Sequence, residues 1–267
     1  MGNRRVPEPF RAKPSPDRLP YVIAHRGISG KAPENTLAAF ARACETPGID
    51  MIELDVRLSK DEEVIVLHDR TLQRTSAGNG AARGYAVAEI KEFDAGSWFH
   101  PSFAEERIPT LRDALNFVDG RRWVNIELKS DFFHREQPLL LERKVLEVVD
   151  TTGMSHSVLF SSFDHGMVAN VRRMRADAVT GVIYNIYRDF GRLPSKLAGR
   201  VGASVFVCAR RELTVAMVRD ARQHGIAVYV YTLNSTSNVN KMMELSIDGI
   251  LSDNADDIVR HLGRIRQ

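Results

Sequence analysis

The chain has 267 residues, 43% of them hydrophobic, which is enough to bury a sizeable core in one large domain. Its formal charge of +3 resides in the first 20 residues, where Arg4, Arg5, Arg11, Lys13 and Arg18 outnumber Glu8 and Asp17; the remainder balances at 32 basic and 32 acidic residues. That balance argues against a nucleic-acid surface, and the two cysteines, Cys44 and Cys208, suggest neither a disulfide framework nor a zinc motif and read as buried thiols.

Residues 1–20 are polar and contain five prolines, Pro7, Pro9, Pro14, Pro16 and Pro20, so an extended arm, laid on the surface or disordered, is expected. The start of the chain shows no apolar signal core and no run reaches transmembrane length; a cytoplasmic location and no stable membrane insertion are the corresponding expectations.

From residue 21 onward short apolar runs alternate with amphipathic stretches. Strands are predicted at 21–25, 51–57, 123–128, 157–161, 178–183, 203–207, 226–231 and 248–251. Helices are predicted at 35–46, 110–119, 138–151, 164–175, 212–224, 235–245 and 255–264, with Thr110 and Asp164 as N-caps and Gly225 as a stop. Alternation implies a parallel sheet, and eight such strands imply a closed (β/α)8 TIM barrel in one domain over 21–267.

One apolar run, Glu63–Leu67, breaks the count. It follows the second strand too closely for a parallel crossover, so the pair must be an antiparallel hairpin turning at Lys60-Asp61. Residues 70–109 then contain no barrel element. An insertion of this length, with aromatic residues Trp98, Phe99 and Phe103, reads as a cap over the C-terminal mouth.

Catalytic groups in such barrels stand at the C-terminal ends of the strands. Those ends hold His25-Arg26-Gly27, Glu53 and Asp55, His68-Asp69, and Glu127-Leu128-Lys129. Glu53 and Asp55 are two apart and share one face of a strand. Buried carboxylates need a counter-charge, and three on neighbouring strands form a site for a hard divalent cation. Such an ion neutralises a phosphate oxygen and lowers a nucleophile's pKa. Arg26 and Lys129 suit phosphate, and His25 and His68 titrate near neutrality as an acid–base pair. Singly each has a bland explanation: Glu53 can pair with Arg57 or Lys129, and Glu127 and Lys129 can neutralise each other.

The runs His25-Arg26-Gly27, Pro33-Glu34-Asn35-Thr36, Glu53-Leu54-Asp55-Val56 and Val66-Leu67-His68-Asp69 resemble the glycerophosphodiester phosphodiesterase family. So do Leu72, Arg74, Thr75, Ile108-Pro109-Thr110-Leu111, Glu127-Leu128-Lys129, Tyr231-Thr232-Leu233-Asn234 and Asp248-Gly249-Ile250. The family is similar to phosphatidylinositol phospholipases C. The resemblance implies a TIM barrel, one Ca²⁺ or Mg²⁺ ion, and hydrolysis of small glycerophosphodiesters to glycerol 3-phosphate and an alcohol. It further implies metal ligands Glu53, Asp55 and Glu127, acid–base residues His25 and His68, phosphate contacts Arg26 and Lys129, and a cyclic phosphate made by the glycerol 2-hydroxyl. Two departures stand out. Tyr231 replaces an aromatic that is often Trp and adds a hydroxyl to the substrate pocket, and Ser252-Asp253-Asn254-Ala255 replaces Thr-Asp-x-Pro, a change read as affecting a turn. Lysophospholipids or sugar phosphodiesters are alternative substrates, with Phe93, Trp98, Phe99 and Phe103 as an apolar rim; a barrel that only binds a phosphorylated metabolite is the non-enzymatic alternative.

Overall fold

The computed structural model describes residues 9–15, 20–130 and 137–265. Among these, eight strands close a parallel barrel: β1 (Tyr21–His25), β2 (Met51–Leu58), β4 (Trp123–Leu128), β5 (Val158–Ser162), β6 (Val179–Ile183), β7 (Val205–Ala209), β8 (Ala227–Tyr231) and β9 (Gly249–Ser252). Closure comes from the β1–β2 pairing, and β3 (Val64–Val66) lies antiparallel on the far end of β2, as the hairpin argument requires. Helices α1 (Leu37–Glu45), α3 (Leu111–Val118), α4 (Leu140–Thr151), α5 (His165–Met174), α7 (Pro194–Val201), α8 (Val215–Gln223), α9 (Thr236–Glu244) and α10 (Ala255–Ile265) surround the barrel. Short α2 (Val87–Ile90) belongs to the insertion, and α6 (Ile186–Asp189) follows β6.

Local chemistry sets the boundaries. Thr110 accepts from Asp113 N while Asp113 accepts from Thr110 N, a reciprocal cap that starts α3. Asp164 accepts from Gly166 N to start α5, and Gly225, at φ +70°, stops the chain after α8. No helix was expected between β6 and β7. α7 is only eight residues long and has Gly199 inside it; its signals were Pro194 at the first turn and Gly202 in the left-handed conformation at its end.

Two apolar layers follow from strand alternation. Outward side chains such as Ile52, Leu54, Val124 and Ile126 pack beneath the helices, whereas Tyr21, Ile23, Met51, Leu159, Val205 and Tyr229 fill the barrel. The thiols of Cys44 and Cys208 are both buried, and burial raises both above the usual thiol range.

The arm differs from the surface-lying or disordered segment expected for it. Phe10 is buried and packs edge-on against Trp123 at 5.2 Å, while Tyr229 Oη donates to Ala12 O and Tyr21 Oη to Lys13 O. The arm thus closes the N-terminal end of the barrel; residues 1–8 and 16–19, with Arg4, Arg5, Glu8, Asp17 and Arg18, lie outside the described residues. Phe10→Ala is expected to cost about 3 kcal/mol, lowering the thermal midpoint by roughly 6–12 °C. An unchanged midpoint would place the arm outside the cooperative core.

The insertion builds a small core of its own on the hairpin, from Ile65, Leu67, Leu72, Ile90, Ala95 and Ile108. Phe93 packs on Tyr85 at 5.4 Å, and Phe99 lies between Trp98 and Phe103 at 5.7 Å from each. Of the four aromatics expected as an apolar rim, only Trp98 is exposed.

Candidate active site

Register brings the acidic residues together. His25 on β1 lies beside Glu53 on β2, and Asp55 on β2 lies beside Glu127 on β4. Glu53, Asp55 and Glu127 each offer a carboxylate oxygen within 4.8 Å of the others, and all three are buried. Glu53 and Asp55 sit inside β2 rather than at its end, because β2 runs on to pair with β3.

After β1 the chain turns sharply. Arg26 (φ +56°) and Gly27 (φ +79°) are left-handed, and a Cβ on Gly27 would stand 2.6 Å from Ala39 Cβ, so the turn needs glycine. The turn aims Arg26 N at Glu53 Oε2 (3.0 Å) and Arg26 Nε at Asp55 Oδ2 (3.2 Å). Asn35, left-handed at φ +59°, donates from Nδ2 to the same Asp55 oxygen at 2.8 Å. Lys129 Nζ reaches Asp55 Oδ1 at 2.8 Å and also pairs with Glu127 Oε1.

The bland pairing of Glu127 with Lys129 therefore exists, but it does not settle the site. Arg57 is turned elsewhere and holds the His68 carbonyl through Nε and Nη2 at 2.9 and 2.8 Å. Two cations, Arg26 and Lys129, serve three carboxylates, and Glu53 Oε1 is buried with no hydrogen-bond partner among the described residues. Burial and the adjacent Asp55 push the Glu53 carboxyl up to about 8. Burial acts on Asp55 in the same direction but is outweighed by Lys129 and Arg26, which hold it below the usual carboxylate range. Burial also leaves Glu127 raised despite Lys129. An all-oxygen donor set with one orphaned oxygen fits a hard cation such as Ca²⁺ or Mg²⁺.

Each histidine is held by a carboxylate. His68 Nδ1 donates to Asp69 Oδ1 at 2.5 Å; Asp69 accepts from Arg74, which also donates to Glu34, and Glu34 accepts from Arg26. Asp69 is lowered to about 2, chiefly by the Arg74 hydrogen bond. The insertion thus supplies Arg74 to the rim of the site. His25 Nδ1 donates to Asp253 Oδ1 at 2.6 Å, with Asp253 fixed by Ser29 Oγ and Asn234 Nδ2. Its Nε2 is 4.0 Å from Glu53 Oε2.

Asp253 was missed as a site residue. The departure Ser252-Asp253-Asn254-Ala255 reads as a turn, and Asp253 does follow β9 directly, but its carboxylate orients His25. The aspartate persists where its neighbours change, and that was the available signal. Burial lowers the basicity of both histidines, but for His25 the Asp253 hydrogen bond and the Glu53 charge outweigh it; His25 lies above the ordinary imidazole value and His68 below. Asp253→Asn is expected to lower kcat roughly tenfold to hundredfold, as for other residues that orient a reacting side chain. Removing the anion lowers the His25 pKa, so the alkaline limb of the pH–rate profile moves to lower pH. A merely structural Asp253 would leave that limb in place.

Tyr231 ends β8 across the mouth. Its ring meets Phe163 at 6.5 Å, and Lys129 Nζ lies 6.0 Å from the Phe163 ring centre. Phe163, just before the Asp164 cap, therefore stands beside Lys129 and Tyr231 at the mouth. Beyond Tyr231 a cavity of about 480 Å³ is lined by Arg210, Arg211, Glu212, Thr232 and Asn234. His165 Nε2 donates to Ile183 O on β6 at 3.1 Å, and His100 bonds Ser102 in the insertion; neither belongs to this cluster, and His134 lies outside the described residues.

The closed parallel barrel thus carries buried carboxylates, two carboxylate-held histidines and two cations together at its mouth. Residues 25–257 match the glycerophosphoryl diester phosphodiesterase family, and the chain belongs to that family. It is 33% identical over 240 residues to a glycerophosphodiester phosphodiesterase of Caldanaerobacter subterraneus, covering 89% of this chain and 96% of that protein. It is 32% identical over 248 residues to one of Bacillus altitudinis, covering 90% and 96%. Among solved structures, an Oleispira antarctica phosphodiesterase in complex with the product sn-glycerol-3-phosphate superposes with a TM-score of 0.83 at 29% identity, over 92% of this chain and 97% of that one. The glycerophosphodiester phosphodiesterase of Agrobacterium tumefaciens gives a TM-score of 0.76 at 28% identity, over 91% and 100%.

Proposed function

We propose that the protein hydrolyses glycerophosphodiesters to glycerol 3-phosphate and an alcohol by metal-assisted acid–base catalysis. The observation that carries this reading is the orphaned, buried Glu53 oxygen among three carboxylates, flanked by two histidines that are each oriented by an aspartate. A Ca²⁺ or Mg²⁺ ion held by Glu53, Asp55 and Glu127 supplies positive charge against the phosphate.

The chain's own residues divide the remaining work. Arg26 and Lys129, already at the carboxylates, hold phosphate oxygens. His68, neutral at pH 7, takes the proton of the glycerol 2-hydroxyl, whose oxygen attacks phosphorus. His25, which keeps its proton more tightly, gives it to the departing alkoxide. The cyclic phosphate then opens when water adds to phosphorus: His25 takes the water proton and His68 returns one to the 2-hydroxyl. No protein nucleophile is needed, which fits a site whose described thiols are buried elsewhere. Tyr231 and Phe163 form the wall that reads the substrate.

A panel of glycerophosphocholine, lysophosphatidylcholine and a sugar phosphodiester tests the reading. Glycerophosphocholine is expected to react fastest, releasing choline and glycerol 3-phosphate. Faster release from lysophosphatidylcholine would assign a lipid substrate. Tight glycerol phosphate binding without hydrolysis of any diester would mean a binding protein.

A further inference from the structure

The loop after β6 exposes apolar side chains beside a local excess of positive charge. Tyr187 is 98% exposed and Phe190 81%, and Leu193 is also exposed. Between 186 and 200 stand Arg188, Arg192, Lys196 and Arg200 against a single acid, Asp189, which is buried. The rest of the chain after residue 20 is close to charge balance, so this excess is local.

The loop is a built platform. Asn185 accepts from Tyr187 N at 3.0 Å, Asp189 Oδ2 accepts from Asn185 N at 3.0 Å, and Arg192 N donates to Asp189 O at 2.9 Å. Arg188 Nη2 donates to the Phe163 carbonyl, and Phe163 is the residue whose ring faces Lys129 and Tyr231. The aromatics therefore project from an ordered segment at the mouth of the barrel, adjoining the site. A cavity of about 750 Å³ beside them, between α5 and α7, is lined by Arg188, Arg192, Lys196 and Arg200 against two acids, Asp164 and Asp189.

We propose that this end of the barrel docks on an anionic lipid bilayer, with Tyr187 and Phe190 entering the headgroup layer and Arg192, Lys196 and Arg200 pairing with lipid phosphates. Aromatic side chains with adjacent cations suit that interface, where rings settle at headgroup depth and long basic side chains reach phosphate. A protein partner fits the pattern less well, because interface cores are depleted in charged residues, lysine above all, and this patch carries four cations. No helix among the described residues is long and apolar enough to cross a membrane, so the contact is peripheral. Docking would present the mouth to products of lipid breakdown, whichever diester is cleaved.

Sedimentation with phosphatidylcholine vesicles, with and without phosphatidylglycerol, tests the proposal. The protein is expected to bind only the anionic vesicles and to be released by added salt. A Tyr187→Ser, Phe190→Ser double variant is expected to bind about tenfold or more weakly, and an Arg192→Gln, Lys196→Gln variant about fivefold weaker for each charge removed. Both are expected to turn over soluble glycerophosphocholine at the normal rate. No binding to anionic vesicles, or equal binding by the aromatic variant, would overturn the proposal. So would a dimer in solution that the aromatic variant converts to monomer, since the face would then join two copies of the chain.

Discussion

His25→Ala and His68→Ala are each expected to lower kcat on glycerophosphocholine by about 10²–10⁴-fold while the protein still folds. Both rings lie at the mouth, with 18% and 33% of the side chain exposed, so their removal leaves no large void. The two variants are expected to differ in pH dependence. His68 is depressed by burial and must be unprotonated to act as base, so it governs the acid limb, below the ordinary imidazole pKa. His25, held by Asp253 and Glu53 above its ordinary value, must be protonated to act as acid and governs the alkaline limb. In His68→Ala the residual activity should lose the acid limb and keep the alkaline one, and in His25→Ala the reverse. Near-normal rates in both variants would remove the acid–base assignment.

Glu53→Gln is expected to abolish activity and yet stabilise the metal-free protein. The Glu53 carboxyl is buried beside Asp55, and its pKa is raised to about 8 in the folded state against an ordinary value of 4.5. For an acid whose folded pKa lies above its unfolded pKa, the unfolded state loses its proton first. Stability therefore falls as pH rises from about 4.5 to about 8. Glutamine removes that penalty and should raise stability at neutral pH by about 1–2 kcal/mol, the usual exchange of stability for function at a site of crowded charge. The metal should distinguish the two proteins. At a hundred times its dissociation constant an ion binding only the native state adds about 2.7 kcal/mol, or roughly 5–11 °C of thermal midpoint in a chain of this size. Wild type is expected to show that shift and Glu53→Gln to show little of it. Equal shifts in both would separate Glu53 from the metal. Asp55→Asn should behave differently, because it leaves Lys129 and Arg26 without their shared counter-charge; breaking such a buried pair costs about 3–5 kcal/mol.

The barrel was legible because its signals are periodic and local. Eight buried runs alternating with amphipathic stretches admit few topologies, and the short gap between β2 and β3 permits only a hairpin. The carboxylates and histidines were legible for a related reason: strand register converts sequence position into adjacency, so Glu53, Asp55 and Glu127 meet once β1, β2 and β4 are neighbours. What escaped notice depends on long-range placement. Asp253 is 228 residues from His25 and looks like any turn aspartate until β9 closes against β1. Glu34 and Arg74 stand in separate motif runs, and their pairing across the insertion appears only in three dimensions. The arm was read from its composition, yet one aromatic, Phe10, seats it beneath the barrel. The exposed pair Tyr187 and Phe190 was hidden because an apolar residue in sequence does not say which way it faces.

The central claim is that Glu53, Asp55 and Glu127 hold a divalent cation on which diester cleavage depends. Its most direct test is the rate of glycerophosphocholine hydrolysis after exhaustive chelation, followed by separate addition of Ca²⁺ and Mg²⁺. The expected result is loss of turnover on chelation and recovery with at least one of the two ions, in wild type but not in Glu53→Gln. Full activity in the chelated protein would contradict the claim.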